Sequence, residues 1–258
     1  MNGLDGKVAI VTGGTRGIGA AIARRLLMAG CEVTTCGRTQ PDAPPSADGR
    51  EADFVACDVR DPAQVRDLVD AVIARHGRLD TVVNNAGGSP KVDAAVASPR
   101  FSEAIVALNL MAPLHMAQAA HPHLKAANGS VVNIASVSAV RPSPGTAMYG
   151  AAKAGLLSLT RSLAQEWGPH IRVNAIIVGL IETDDPQETY GSDAARHRIA
   201  RSLPLGRMGC GADVAEAVAF LASPAAAYIS GAELSVHGGG ERPLFLELVA
   251  REAARREA

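Results

Sequence analysis

The chain has 258 residues, 47% of them hydrophobic and only 3% aromatic, with a formal net charge of −1. That suits one large α/β domain whose core is mostly Ala, Val, Ile and Leu, and it offers no electrostatic pull toward nucleic acid or an anionic membrane. No apolar run is long enough to span a bilayer. The four cysteines, Cys31, Cys36, Cys57 and Cys210, contain no C-x-x-C pair, so they read as reduced, mostly buried cytosolic thiols and not as a metal site.

Residues 7–12, KVAIVT, predict a first strand, a start that leaves no room for a signal peptide. The run ends in Gly13-Gly14-Thr15-Arg16-Gly17-Ile18-Gly19, and a helical pattern follows through Ile22, Leu26 and Leu27 to Gly30. Strand, glycine turn and helix together make the context for a phosphate-binding turn. Glycines let the backbone approach a pyrophosphate whose charge rests on the helix N-terminus. The spacing is G-x-x-x-G-x-G, and a plain turn is the competing reading. Residues 32–37 predict the second strand. It ends at Gly37-Arg38 with no carboxylate to hold ribose hydroxyls. Arg38 and Arg16 are instead suited to a 2′-phosphate, so NADP(H) is favoured and NAD(H) remains possible.

Residues 41–50 read as a surface loop and 53–59 as a strand. Asp61-Pro62-Ala63-Gln64 then opens a helix to His76, with Asp as cap, Pro at N1 and Gln at N3 in a capping-box pattern. Residues 79–84 form the fourth strand and run into Asn85-Ala86-Gly87-Gly88, small enough for backbone to lie against a ligand. Ser98-Pro99 opens a helix reaching about Ala126. Within it Pro113 lacks an N–H, so the Asn109 carbonyl loses its helical partner and could hold a water at a kink. His121-Pro122-His123 reads as an exposed helix end. Residues 130–134 predict a strand ending at Ala135-Ser136.

Tyr149 and Lys153 open a helical run, 149–167, one turn apart on one face. A phenol of ordinary pKa, about 10, is a poor acid–base group at neutral pH. A cation at ~4 Å in an effective dielectric of ~20 supplies ~4 kcal/mol, and lowering the pKa by two or three units takes about 3–4 kcal/mol. Lys153 is therefore expected to bring Tyr149 into range for proton exchange. Residues 171–178 form the sixth strand, followed by Gly179-Leu180-Ile181-Glu182-Thr183. Residues 184–205 read as a polar lid, 213–221 as a helix and 233–236 as the seventh strand. The extension 241–258 carries Leu244, Phe245, Leu248 and Val249 as a possible apolar helix face, placed near a substrate pocket, on a neighbouring subunit, or simply on the surface.

Strands alternate with helices, which argues a single α/β domain over 1–258 with a doubly wound, parallel, seven-stranded sheet and helices on both faces. The glycine turn, Ala86-Gly87, Ser136 and 179–183 all follow strands, at the edge where such sheets bind ligands. Thr12 to Gly19, Cys57-Asp58-Val59, Asn84-Asn85-Ala86-Gly87, Asn109, Ser136, Tyr149-x-x-x-Lys153 and Arg172-Val173-Asn174, in this order and with these gaps, resemble the classical short-chain dehydrogenase/reductase family. Pro204-Leu205-Gly206-Arg207 and Ile229-Ser230-Gly231 fit its C-terminal third.

The resemblance implies a Rossmann fold and an oxidoreductase that interconverts a secondary alcohol and a ketone. It implies a catalytic set of Asn109, Ser136, Tyr149 and Lys153. Tyr149 would exchange the proton, Lys153 would tune it and bind the nicotinamide ribose, Ser136 would hold the substrate oxygen, and Asn109 a relay water. The cofactor residues expected are Gly13, Thr15, Arg16, Gly17, Ile18, Gly19, Arg38, Asp58, Val59, Asn85, Ala86, Gly87, Gly179, Ile181 and Thr183, with Tyr149 and Lys153. It also suggests a homotetramer or homodimer. The loops 89–97 and 137–148 are small and apolar, favouring a hydrophobic alcohol or ketone such as a 3-oxoacyl thioester or steroid. Two positions depart from the family: Val178-Gly179 stands where Pro-Gly is usual, and His237-Gly238-Gly239 where Asp-Gly-Gly is usual. The competing functions are a catalytically silent NADP-binding sensor or scaffold and, less suited to this glycine spacing, a sugar-nucleotide epimerase or dehydratase.

Overall fold

The computed structural model describes residues 3–184 and 186–256. Position 185 of the expected lid, the last two residues of the extension and the first two of the chain lie outside that range. The strands are β1 (Val8–Thr12), β2 (Glu32–Gly37), β3 (Ser46–Ala47), β4 (Arg50–Glu51), β5 (Asp53–Ala56), β6 (Thr81–Asn84), β7 (Ser130–Ser136), β8 (Arg172–Val178) and β9 (Glu233–Val236). Seven of them form one sheet in the order β5-β2-β1-β6-β7-β8-β9, every neighbouring pair parallel. The chain runs outward from β1 through β2 to β5, then returns to β6 on the other side of β1. The crevice between β1 and β6 is the switch point at which open α/β sheets bind ligands.

The helices are α1 (Gly17–Met28), α2 (Pro62–His76), α3 (Pro99–Val106), α4 (Ala112–Ala127), α5 (Ala147–Trp167), α6 (Pro186–Tyr190), α7 (Asp193–Ser202), α8 (Gly211–Ala222) and α9 (Leu244–Arg256). Alternation along the strands feeds two cores. Ala9 and Val11 of β1 point to α1 and α8, where they meet Ile22, Leu26, Val214 and Val218. Val8 and Ile10 point the other way, to a cluster of Val65 and Leu68 from α2, Met116 and Leu124 from α4 and Leu163 from α5. The largest fully buried side chains are Leu and Ile with one Met, Met116. This is the aliphatic core that the low aromatic content predicts.

A buried polar chain crosses the second core. Asn84 Nδ2 donates to Asn133 Oδ1 (2.8 Å) and, more weakly, to Pro113 O (3.3 Å). Asn133 Nδ2 donates to Thr160 Oγ1 (2.9 Å), which donates to Leu156 O (2.8 Å). It links the ends of β6 and β7 to α4 and α5, the elements that carry the candidate site. Each group is satisfied, which is the condition for such a chain to stabilise.

Several expectations are corrected. Residues 41–50 are not all loop, because Ser46–Ala47 and Arg50–Glu51 pair around Asp48-Gly49, both at positive φ (52° and 74°). Asp-Gly is the residue pair a two-residue hairpin turn favours. The third sheet strand ends at Ala56, before Asp58 and Val59, and β7 runs on to Ser136. Asp61 caps α2 through Ala63 N (2.9 Å), but Gln64 does not close a box onto the cap. Its Oε1 instead accepts from Asp58 N at 2.8 Å. The helix around Pro113 does not simply kink: Ala107–Met111 form a π turn in which Ala112 N donates to Ala107 O. With no N–H at Pro113, the helix widens to close a longer ring. Pro122 lies inside α4 and His121 is half-buried, its ring 4.9 Å edge-on from Trp167, so the helix end is not the exposed pair expected.

The lid is two short helices, α6 and α7. The extension does form a helix, and Leu244, Phe245, Leu248 and Val249 are all exposed on it. No described helix is long and apolar enough to cross a membrane, and among the described residues no group of His, Cys, Asp or Glu could hold a metal ion.

Candidate active site

The site is assembled from strand ends and the first turn of α5. Ser136 is the last residue of β7, and its Oγ accepts from Ser138 N (3.2 Å). The Ser136 side chain also lies near enough to the Tyr149 hydroxyl to act on its proton affinity. Lys153, one turn beyond Tyr149, is 2% exposed, and its Nζ donates to Ile134 O at 2.7 Å. Helix α5 can approach this closely because Gly150 lies against the turn after β7. A Cβ there would sit 2.9 Å from Ser138 O. Ser143 ties the same loop to the helix start through Ser138 Oγ (3.1 Å) and Thr146 Oγ1 (2.6 Å).

Asn109 is fully buried in the π turn. Its amide grips the backbone of Gly88 from both sides, with Nδ2 to Gly88 O and Gly88 N to Oδ1, each at 2.9 Å, while Nδ2 also reaches Ile105 O. A Cβ on Gly87 would lie 2.8 Å from Asn109 Oδ1 and 3.2 Å from Lys153 Nζ. The loop after β6, the π turn and α5 therefore meet at one point. The four residues expected to be catalytic are brought together here.

One electrostatic expectation fails. Burial pushes the Tyr149 phenol above its ordinary value, opposed by the Ser136 side chain. Lys153 does not pull it down, because its ammonium lies 5.7 Å from the centre of the Tyr149 ring and is engaged by Ile134 O. Burial acts on Lys153 too, lowering its pKa to about 8.

Beside this cluster is a cradle for a phosphate-bearing ligand. Gly13 and Gly17 have positive φ (61° and 52°). A Cβ on Gly19 would lie 2.2 Å from Gly13 O, and one on Gly14 2.6 Å from Thr35 Cγ2. The backbone can follow this path only with glycine at those places. The first turn of α1 has neither a side-chain cap nor an acidic residue, so its N–H groups and the positive end of its dipole are open to an anion. Ala86 and Gly87 form the opposite wall. These features fit a dinucleotide pyrophosphate across the β1–β6 crevice.

Residues 13–241 match a family model described as enoyl-(acyl carrier protein) reductase. The chain belongs to the short-chain dehydrogenase/reductase family. It is 37% identical over 241 residues to tropinone reductase-like 3 of Erythroxylum coca, covering 91% of this chain and 93% of that protein. It is 41% identical over 249 residues to 4-formylbenzenesulfonate dehydrogenase of Comamonas testosteroni, covering 92% and 98%. The ligand-free aldohexose dehydrogenase of Thermoplasma acidophilum matches it with a TM-score of 0.85 at 32% identity, covering 92% and 94%. The protein is therefore an oxidoreductase of a family that uses nicotinamide cofactors.

Within this short-chain dehydrogenase/reductase the other expected cofactor residues divide. Arg16 and Arg38 are exposed, with Arg38 acting through space on Asp58. Asp58 is held by Arg60 Nε (2.9 Å), which keeps its carboxyl below the usual range. The Asn85 side chain is tied to the glycine turn, its Nδ2 donating to Thr12 O (2.9 Å) and Gly13 O (3.1 Å). Ile181 and Val59 are buried in the core and offer only backbone. Gly179 packs on His237, where a Cβ would come within 2.5 Å of His237 Cβ, so one departure from the family pattern, His237, lies against the glycine that follows the other, Val178. The Thr183 hydroxyl bonds Thr189 of the lid (3.2 Å), and Tyr190 OH closes the lid onto Ile181 O (2.8 Å).

Sequence reasoning missed Thr12 as a site organiser. Its Oγ1 accepts from both Asn85 N and Ala86 N (3.0 Å each), joining the two walls of the crevice. Its place just before the glycine turn was the available signal.

An exposed lysine keeps its proton to about 10.5, whereas folded Lys153 releases it near 8. Burying the charge thus costs stability below pH 8, and the cost fades as pH rises between those values. Lys153→Met is expected to be more stable than the parent at pH 7, by about 1–3 kcal/mol in urea unfolding. The difference should close toward pH 10, and a constant difference would contradict the assignment.

Proposed function

We propose that this protein interconverts a secondary alcohol and a ketone using NADP(H), with Tyr149 as the proton-exchanging group. The observation that carries the reading is the closeness of Tyr149 to Ser136 beside the buried ammonium of Lys153. The nicotinamide cofactor, held by the glycine turn, the first turn of α1 and Ala86-Gly87, supplies the redox equivalent. Ser136 and Tyr149 present two hydroxyls to one substrate oxygen. A phenol raised above 10 is protonated at neutral pH, the form that ketone reduction needs. Lys153, with a pKa of about 8, can exchange protons near physiological pH. Asn109 positions the loop through Gly88, and a water at the widened π turn would complete a route from Lys153 to solvent.

The 2′-phosphate preference rests on Arg16 and Arg38, both exposed beside the turn, and on the absence of a carboxylate at the end of β2, where Gly37 and Arg38 follow. A hydrophobic substrate is favoured by Val96 and Val140, which are exposed on the loops flanking the site. The names of the relatives span tropinone, a formylbenzenesulfonate and aldohexoses, so they leave the substrate open. The silent-sensor reading has no observation of its own, and Asn109, Ser136, Tyr149 and Lys153 supply the side chains that turnover would need.

Tyr149→Phe is expected to lower kcat at least about 100-fold while NADPH binding, followed by fluorescence titration, stays within twofold. Activity equal to the parent would overturn the assignment. Arg38→Asp should weaken NADPH about tenfold or more and leave NADH nearly unchanged. A parent that binds NADH more tightly would refute the NADP(H) preference. A homotetramer or homodimer is supported by the exposed apolar residues of α9. Light scattering checks this, and a monomer at micromolar concentration would rule it out.

A further inference from the structure

One cavity in the fold is not at the catalytic rim. It lies at the opposite, amino-terminal edge of the sheet, with a volume of about 330 Å³. Its floor is the first residues of adjacent strands, Thr81, Ser130 and Arg172. Lys7 and His170 reach into it from the sides, and Pro169 and Pro224 form apolar walls.

The polar groups there are unevenly matched. The carboxylate of Asp80 already accepts from Lys7 Nζ (3.0 Å), Val8 N (3.0 Å), Arg78 Nε (2.8 Å) and Arg78 Nη2 (2.7 Å). Its charge is answered, and burial is outweighed so that it stays ionised. Arg172 has no such answer. Among the described residues its guanidinium makes only long contacts to the backbone, Ile229 O at 3.4 Å and Ser223 O at 3.5 Å. Burial is what moves its proton affinity, downward, with no carboxylate acting on it. Hydrogen bonds of that length are weak, and a half-buried guanidinium with five donors is under-satisfied by them. Lys7 uses one of its three donors on Asp80. Thr81 and Ser130 share one hydrogen bond between two hydroxyls (3.2 Å), which leaves one proton to donate.

We propose that this cavity is a binding site for a small organic oxyanion, a carboxylate or a phosphate ester, held by Arg172 and Lys7 with its body against Pro169 and Pro224. Arg172 offers the planar fork that pairs with two oxygens of either group, and Lys7 a point charge. The volume exceeds what a bare anion needs and falls at the lower end of ligand pockets. The catalytic rim lies at the other ends of the same strands: β6 leads from Thr81 to Asn84, β7 from Ser130 to Ser136, and β8 from Arg172 to Val178. The site is therefore separate from the coenzyme crevice, and its proposal does not depend on the coenzyme chosen.

The test is isothermal titration calorimetry on the full chain, with saturating NADP⁺ and, in a parallel run, NAD⁺, so that the phosphate turn is blocked. The probes are glycerol 3-phosphate, succinate and inorganic phosphate at matched ionic strength. Binding of at least one at millimolar affinity or better is expected, weakened tenfold or more in Arg172→Met. Lys7→Met provides the second variant, since Arg78 still holds Asp80 and the fold is retained. It should weaken the same probe at least threefold. Preference for glycerol 3-phosphate over succinate identifies the phosphate ester as the natural class, and the reverse identifies the carboxylate. No heat with any probe up to 50 mM, or equal binding by the parent and both variants, overturns the site.

Discussion

A fully buried ammonium governs the arrangement around it. Lys153 can stay inside this protein because Ile134 O accepts from it at 2.7 Å and the Tyr149 ring lies beneath it. That requirement reaches outward. The end of β7 must present a free carbonyl, which it does because the strand's pairing partners leave it at the rim. Helix α5 must come close enough for its sixth and seventh residues, Ala152 and Lys153, to be buried against the sheet, and Gly150 against Ser138 allows the approach. Gly87 must carry no side chain, since a Cβ would fall 3.2 Å from Nζ. Desolvation lowers Lys153 to about 8, close enough to neutral pH for its proton to be exchangeable there.

The same burial sets Tyr149 in the opposite direction. A phenol buried without a strong cation at its oxygen is held protonated, and the Ser136 side chain only partly offsets this. Spacing along a helix suggested that Lys153 would activate Tyr149 directly. The ammonium lies 5.7 Å from the centre of the Tyr149 ring and donates to Ile134 O. A pair of groups on one helix face shares a neighbourhood, and the surrounding backbone decides which atoms meet.

Close backbone contact recurs wherever a ligand is expected. Gly19 on Gly13 O, Gly14 on Thr35, Gly87 on Asn109 and Gly179 on His237 each leave no room for a Cβ. The last contact sets a glycine of the usual family pattern against one departure from it, His237, and the other departure, Val178, precedes that glycine. Asn109 joins the system by gripping Gly88 and not through its main chain alone. The buried chain from Asn84 through Asn133 to Thr160 holds the strand ends and helices in register beneath the site.

The sequence by itself determined the fold class and the family. Those depend on local patterns: β-branched runs, glycine spacing, a Ser-Pro cap, and a Tyr and a Lys one turn apart. It also determined the aliphatic core, because 3% aromatic content leaves little else to fill it. Only the tertiary structure decided that the Asn85 side chain stitches Thr12, that the helix before Pro113 widens into a π turn, and that Gly179 rests on His237. It also decided the electrostatics, and it alone revealed the cationic cavity at the far edge of the sheet. The reason is common to all of these. They arise between residues distant in sequence, such as Lys7 and Arg172 or Asn109 and Gly88. Their distances are fixed by the packing of whole elements and leave no periodic trace in the chain.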